Sequence, residues 1–260
     1  MRVLWCGVWQ FVRTKPLDFS ASGGVWVPCA GSVTPWQTHL GSEEYEPDAK
    51  AFYEATGSVG SAVRDFLRFF GVYKSLADVT KDSAMAAGFY PYQYGYPWET
   101  KVTADFQETT TKLYAHGRMS YEMSYVMPDE KTVYGTDDGS NVMFHMFIAN
   151  AAKDITAGVN YCAKFTQTSP DGGAAIDWTA NIEWLEMPTA THAEVKAAIK
   201  TTTFNDLFTF AACQPDGSCG TGFSPTNTGK GCECLRPVAG KERLAATLEK
   251  RRYAGTLLHV

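Results

Sequence analysis

Lys131-Thr132-Val133-Tyr134-Gly135-Thr136-Asp137-Asp138-Gly139-Ser140-Asn141-Val142-Met143-Phe144-His145-Met146-Phe147-Ile148 is the stretch that decides the fold class of this chain. A β-branched and aromatic run ends in Asp-Asp-Gly, and a second apolar run follows, which is the pattern of two strands returning on each other through a turn. Further along, Tyr161–Thr166 and Ile182–Met187 read as strands, with the turn formers Ser169-Pro170-Asp171-Gly172-Gly173 between them. Short strands repeated with Gly/Asp turns predict a mainly β architecture, a propeller or a sandwich. Thr191-His192-Ala193-Glu194 is a capping box that opens a short helix to about Lys200, and a last helix beginning near Gly240 carries Leu244, Leu248, Arg251 and Arg252.

Toward the N-terminus the period changes. Ala62, Val63, Phe66, Leu67 and Phe70 recur at helical spacing, and a weaker helical piece covers Ser75 to Ala87, which predicts a helical insertion at about 48–88. Tyr90-Pro91-Tyr92-Gln93-Tyr94-Gly95-Tyr96-Pro97-Trp98-Glu99 is an aromatic segment whose prolines argue against a continuous central strand. Before all of this, Val25-Trp26-Val27 reads as a short strand delivering Cys29 to a turn.

Composition sets the outer bounds. With 260 residues and 45% hydrophobic content the chain can bury a sizeable core as one or two domains, and we take 1–260 as a single domain. A net charge of −5 gives no electrostatic case for nucleic acid, and no apolar run approaches the ~18 residues of a membrane span. Met1 to Val12 lacks a sustained apolar core and a small-residue cleavage site, so no signal peptide is read there.

Seven cysteines cannot all pair within the chain. Cys213, Cys219, Cys232 and Cys234 crowd a Gly/Ser/Thr/Pro-rich stretch inside a Cys-rich loop and C-terminal helix segment at about 205–260. Disulfides in an oxidising compartment are the favoured reading over a zinc knuckle, because Cys232-Glu233-Cys234 has a single intervening residue. Cys29 is then a free thiol, with Cys6 and Cys162 unassigned.

Chemistry concentrates in Cys29-Ala30-Gly31-Ser32-Val33-Thr34-Pro35-Trp36-Gln37-Thr38-His39-Leu40-Gly41-Ser42-Glu43-Glu44. A thiolate suits iron, zinc or copper, whereas paired carboxylates suit calcium, magnesium or ferric iron. Glu46 and Asp48 add two more acids just beyond it. Gly117-Arg118-Met119-Ser120-Tyr121-Glu122 supplies a further Arg and Glu before the hairpin. His39, His116 and His145 show no zinc spacing, and neither a Ser-His-Asp system nor a phosphate-cradling Gly-Lys loop is present.

The Cys29–Glu44 segment resembles the signature of the PhoX-type alkaline phosphatases, in which a Cys-Ala-Gly turn, Thr-Pro-Trp and a terminal Glu-Glu recur at this spacing. The second block is similar to theirs as well: Gly-Arg, a Glu shortly after, a strand, then an acidic turn, with Tyr121 where the family commonly has histidine. The resemblance spans most of residues 15 to 255 and only part of a full-length phosphatase. It implies an incomplete six-bladed β-propeller with helical insertions, and hydrolysis of small phosphate monoesters at an iron pair assisted by calcium. Cys29 is then the iron thiolate, and Glu44 and Glu122 are carboxylate ligands. Glu43, Asp138 and Glu99 are neighbouring metal candidates, Asp137 a possible calcium ligand, and Arg118 either contacts phosphate or pairs with a carboxylate. The same resemblance implies an extracellular or periplasmic protein with an export signal upstream, and exposed sheet edges that self-associate or pair with a downstream segment. The alternative reading is a non-catalytic calcium-binding propeller fragment.

Overall fold

A computed structural model describes residues 2–5, 8–11, 14–72, 79–170, 177–227 and 231–258. The described residues are mainly β, with 35% strand against 25% helix, and none of the antiparallel sheets among them closes on itself. A hairpin of β1 (Arg2–Trp5) and β2 (Val8–Phe11) comes first. A four-stranded sheet follows, ordered β3 (Pro28–Val33), β4 (His39–Glu43), β5 (Trp98–Val102) and β6 (Glu108–Lys112). Between β4 and β5 lie α1 (Ala49–Glu54), α2 (Ser61–Phe69) and α3 (Lys81–Ala86).

A five-stranded meander comes next: β7 (Tyr121–Val126), β8 (Thr132–Asp137), β9 (Phe144–Ala151), β10 (Asp154–Gln167) and β11 (Ala180–Met187), each paired with its predecessor. After α4 (His192–Ala198) and α5 (Phe204–Leu207), a three-stranded sheet is built from β12 (Phe208–Ala211), β13 (Ser224–Asn227) and the central β14 (Cys232–Pro237). Helices α6 (Glu242–Leu248) and α7 (Lys250–Leu258) end the chain.

The hairpin expected at Lys131–Ile148 forms as β8 and β9, in the register Val133↔Phe147 and Gly135↔His145. Strand alternation sends Val133, His145 and Phe147 into the interior. It leaves Tyr134 and Phe144 stacked on the outer face, with ring centres 5.5 Å apart. Phe165, Trp178 and Trp184 continue that outer aromatic row. Gly158 sits where a Cβ would come within 2.2 Å of the Ile148 carbonyl, so β9 and β10 approach as they do only because that side chain is absent.

The four- and five-stranded sheets face each other across Leu40, Leu113, Val126, Val133, Phe147 and Ile155. A larger core under the C-terminal helices gathers Tyr92, Tyr96, Tyr121, Met187, Phe204 and Leu248. A third cluster ties the helices after β4 to Trp26, Phe89 and Tyr94. Helix starts follow the side chains available: Asp48 caps α1, and Thr80 and Thr191 form capping boxes on α3 and α4.

Some expectations shift. The strand carrying Cys29 is Pro28–Val33 rather than Val25–Val27, because Trp26 is buried with its indole N–H donating to the Tyr45 carbonyl at 2.7 Å. The chain turns at Thr34 to Gln37, closed by Gln37 N–H on the Thr34 carbonyl at 2.9 Å. The expected single last helix is two, broken at Glu249, whose backbone leaves helical geometry. Of the helical piece expected from Ser75 to Ala87, Lys81–Ala86 forms as α3 and residues 75–78 lie outside the described residues, as do Cys6 and part of the Ser169–Gly173 turn.

Candidate metal centre

Two bulges and one pleat bring the key side chains together. In β3 the pairing with β4 slips between Pro28 and Gly31, and Cys29 lies in that slip. In β7 the pairing with β8 slips between Tyr121 and Met123, and Glu122 is the extra residue. A bulge re-aims the side chain it carries, and both aim toward the gap between the sheets. Strand alternation continues through β4, so Leu40, Ser42 and Glu44 share a side and Glu43 takes the other. The Ser32 hydroxyl, donating to the Ser124 carbonyl at 2.7 Å, pins β3 to β7 beside this point.

The outcome is a cluster in which a ligand atom from each of Cys29, Glu44 and Glu122 lies within 4.8 Å of the others. The Cys29 thiol donates to Glu122 Oε1 at 3.7 Å. Cys29 is exposed, Glu122 half-buried and Glu44 buried, so the cluster opens to solvent on the sulfur side. Desolvation, a hydrogen bond to Glu44 and the neighbouring negative charges push the Cys29 thiol up from its ordinary value. Desolvation also pushes the Glu44 carboxyl up, reinforced by Glu122 and Asp138. Three acids converging without a cation oppose one another's ionisation, and a bound cation reverses that sign. One soft sulfur and two hard carboxylates fit a transition-metal ion such as iron.

Tyr45 follows Glu44 with a left-handed backbone, φ 49°. Its hydroxyl donates to the Asp138 carboxylate, which with the charges of Asp138 and Glu44 pushes the phenol up to about 12. Asp138 thus stands next to the cluster and is held there by Tyr45 and by its own N–H on the Ser120 carbonyl at 2.9 Å.

The other candidates belong elsewhere. Glu43 is fully buried and saturated: Trp26 N–H donates to Oε1 at 2.7 Å, Gly95 and Tyr96 N–H to Oε2 at 2.9 and 3.1 Å, and Lys112 lies 2.9 Å from Oε1. It is a structural carboxylate with no free lone pair directed at the cluster. Glu99 is likewise committed, accepting from the Trp36 indole and the Thr38 hydroxyl at 2.7 Å each, with Lys101 at 3.3 Å. Asp137 faces inward on β8 and takes Arg251 and Met143 N–H at 3.1 Å. Burial nevertheless pushes it up to about 7, against the pull of Arg251.

Arg118 is buried, with Nε donating to the Tyr94 carbonyl at 2.8 Å and a terminal nitrogen to the Pro47 carbonyl. It forms part of a cavity of about 280 Å³ with Tyr45, Glu46, Ser120, Glu249 and Arg252 in its walls. Tyr45 and Ser120 join this cavity to the metal cluster, the Tyr45 N–H donating to Ser120 Oγ at 2.8 Å.

A family model described as Alkaline phosphatase PhoX matches residues 7–220. The chain belongs to the PhoX family. PhoX proteins are metal-dependent, in agreement with the ligand set of the cluster. Among curated proteins and among solved structures, no match was found. In this PhoX member the residues that sequence reasoning passed over are Tyr45 as a neighbour of the cluster, and Glu249 and Lys250 in the cavity wall. The unusual backbone of Tyr45 leaves no trace in composition, and α7 reaches the cavity only through tertiary packing.

Proposed function

We propose that the chain is a phosphoric monoester hydrolase of the PhoX type, acting at a centre held by Cys29, Glu44 and Glu122. The observation that carries this reading is the convergence of those side chains from three separate strands or strand ends onto one point. Iron suits the sulfur-containing set and calcium the acidic surroundings of Asp138 and Glu44. A metal pair bound there supplies charge neutralisation for the phosphoryl oxygens and activation of the attacking oxygen.

The chain's own residues do the rest. The two carboxylates and the thiolate fix the cation between the sheets, and the bulges keep their geometry rigid. Tyr45 holds Asp138 in place beside the centre, and it lines the neighbouring cavity, whose Arg252 is paired with Asp48, Glu233 and Glu249. The four- and five-stranded sheets are read as neighbouring blades of the propeller that the family resemblance implies. The stapled cysteines support a place outside the cytoplasm, extracellular or periplasmic. Among the described residues no helix is long and apolar enough to cross a membrane.

The experiment is phosphate release from p-nitrophenyl phosphate by the full chain expressed with iron and calcium, with metal analysis in parallel. Turnover that collapses in Cys29→Ala and Glu122→Gln is expected. Well-folded, metal-supplied protein that retains no iron, or equal turnover in Cys29→Ala, rejects the assignment.

A further inference from the structure

Four cysteines gather at a different sheet from the metal centre, Cys232 and Cys234 on β14 and Cys213 and Cys219 in the loop between β12 and β13. Strand alternation on β14 turns Cys232 and Cys234 to one face and Glu233 to the other. On its own face the Glu233 carboxylate takes Lys50 at 2.7 Å and Arg252 at 2.8 Å. On the opposite face Cys213 is bonded to Cys232, and Cys219 to Cys234. The two bridges touch: Cys234 Sγ is 3.4 Å from Cys213 Sγ, and the sulfurs of Cys213, Cys232 and Cys234 all lie within 4.8 Å of one another. Cys219, bonded to Cys234, places a fourth sulfur beside these three.

Zinc–thiolate bonds of about 2.3 Å at tetrahedral angles separate the sulfurs by about 3.8 Å. Once the S–S bonds are open, side-chain rotation lets Cys213, Cys232 and Cys234, already within 4.8 Å of one another, take up that spacing, with Cys219 swinging in from its place beside Cys234. The one-residue gap that disfavours Cys232-Glu233-Cys234 as a knuckle is the spacing that puts two ligands on one face of a strand. The loop holding the other two keeps its shape through backbone bonds, with Gln214 N–H on the Ser218 carbonyl and Gly217 N–H on the Gln214 carbonyl, both at 2.9 Å. Cys232 is exposed, and Cys213 and Cys219 are half-buried, so a reductant can reach them.

We infer that in its reduced state this cluster is a tetrathiolate zinc site with Cys213, Cys219, Cys232 and Cys234 as ligands. Each disulfide takes two electrons and two protons from a dithiol, which leaves as its own disulfide. The four thiols then release four protons as their sulfurs bind Zn²⁺. The bridges staple the strands in oxidising surroundings, and the zinc does so in reducing ones.

The test uses the full chain, oxidised or reduced with a dithiol and freed of it anaerobically, titrated with Co²⁺ and then Zn²⁺ while far-ultraviolet circular dichroism follows the fold. The reduced chain is expected to take up one more cobalt per chain than the oxidised chain. It should show the thiolate-to-cobalt band and visible transitions of a tetrahedral sulfur site, both erased by zinc. The double variant Cys219→Ser/Cys234→Ser should lack this signal and Cys29→Ala should keep it. No extra cobalt on reduction, a reduced-minus-oxidised band that survives in the double variant, loss of that difference with Cys29→Ala, or a reduced chain that unfolds and stays unfolded with zinc overturns the inference.

Discussion

Glu43 and Glu122 are both glutamates in segments rich in acids, and the structure gives them opposite work. Glu43 is an ion-pair partner of Lys112 in the interior, so Glu43→Gln leaves an uncompensated buried ammonium and is expected to lower unfolding free energy by about 3–5 kcal/mol. Glu122→Gln removes one of three mutually repelling acids. It should abolish binding of the cation that the cluster is proposed to hold, while costing the metal-free form less than about 0.5 kcal/mol. Urea unfolding and metal analysis of the two variants check both outcomes. His116 and His145 are fully buried, His116 donating Nε2–H to the Ile155 carbonyl at 2.8 Å and stacking on Phe147. Desolvation pulls His116 down to about 3 and His145 well below its ordinary value. The unfolded chain therefore binds protons below its histidine pKa of 6.5 that the folded chain refuses. The stability they contribute is complete above about 6.5 and lost as pH falls toward 3, by roughly 2.7 kcal/mol per pH unit at the steepest for two groups. Denaturant midpoints at pH 7 and pH 5 measure this slope net of Asp137, whose carboxyl, pushed up to about 7, contributes with the opposite sign.

At the scale of elements, the signature segment is a strand, a tight turn and a second strand, and its small residues are there for contact. A Cβ at Gly41 would stand 2.3 Å from the Trp98 ring, which crosses β4 from β5. Gly41→Ala therefore overpacks the four-stranded sheet and is expected to lower stability by about 1–3 kcal/mol, read as a shifted thermal midpoint. The hairpin at Lys131–Ile148 and the capping box at Thr191 were legible because each depends on neighbours within a few residues. The bulges at Cys29 and Glu122 were not, because a bulge is a property of two strands and the sequence names only one. The break at Glu249 was hidden for a similar reason: α7 begins where Lys250 buries its amine against Tyr121 and Asn160, each 3.2 Å away.

On the scale of the molecule, the metal cluster joins two sheets: Cys29 and Glu44 come from the four-stranded sheet and its end, Glu122 from the five-stranded one. A cation bound there acts as a cross-link present only in the folded state. At a hundred times its dissociation constant, such a ligand stabilises by about 2.7 kcal/mol. Chelation should then lower the melting temperature by about 5–10 °C, with recovery on metal return. Calorimetry before and after dialysis against a chelator, repeated on Cys29→Ala, separates this from a general effect, since the variant should melt at the same temperature with or without chelator.

Residue order alone determined the β-rich class, the helical segment after the signature and the cysteine staples, which follow from local periodicity and turn chemistry. Cys29, Glu44 and Glu122 were singled out by resemblance to the PhoX signature, and the fold brings them together. Tertiary structure decided which acids remain available. Adjacent glutamates on an extended chain face opposite sides, so Glu43 enters a core rich in N–H donors while Glu44 meets Cys29. Packing between sheets then brings in Glu122 from the far side, a contact whose partners lie 93 residues apart and which no short stretch of chain encodes.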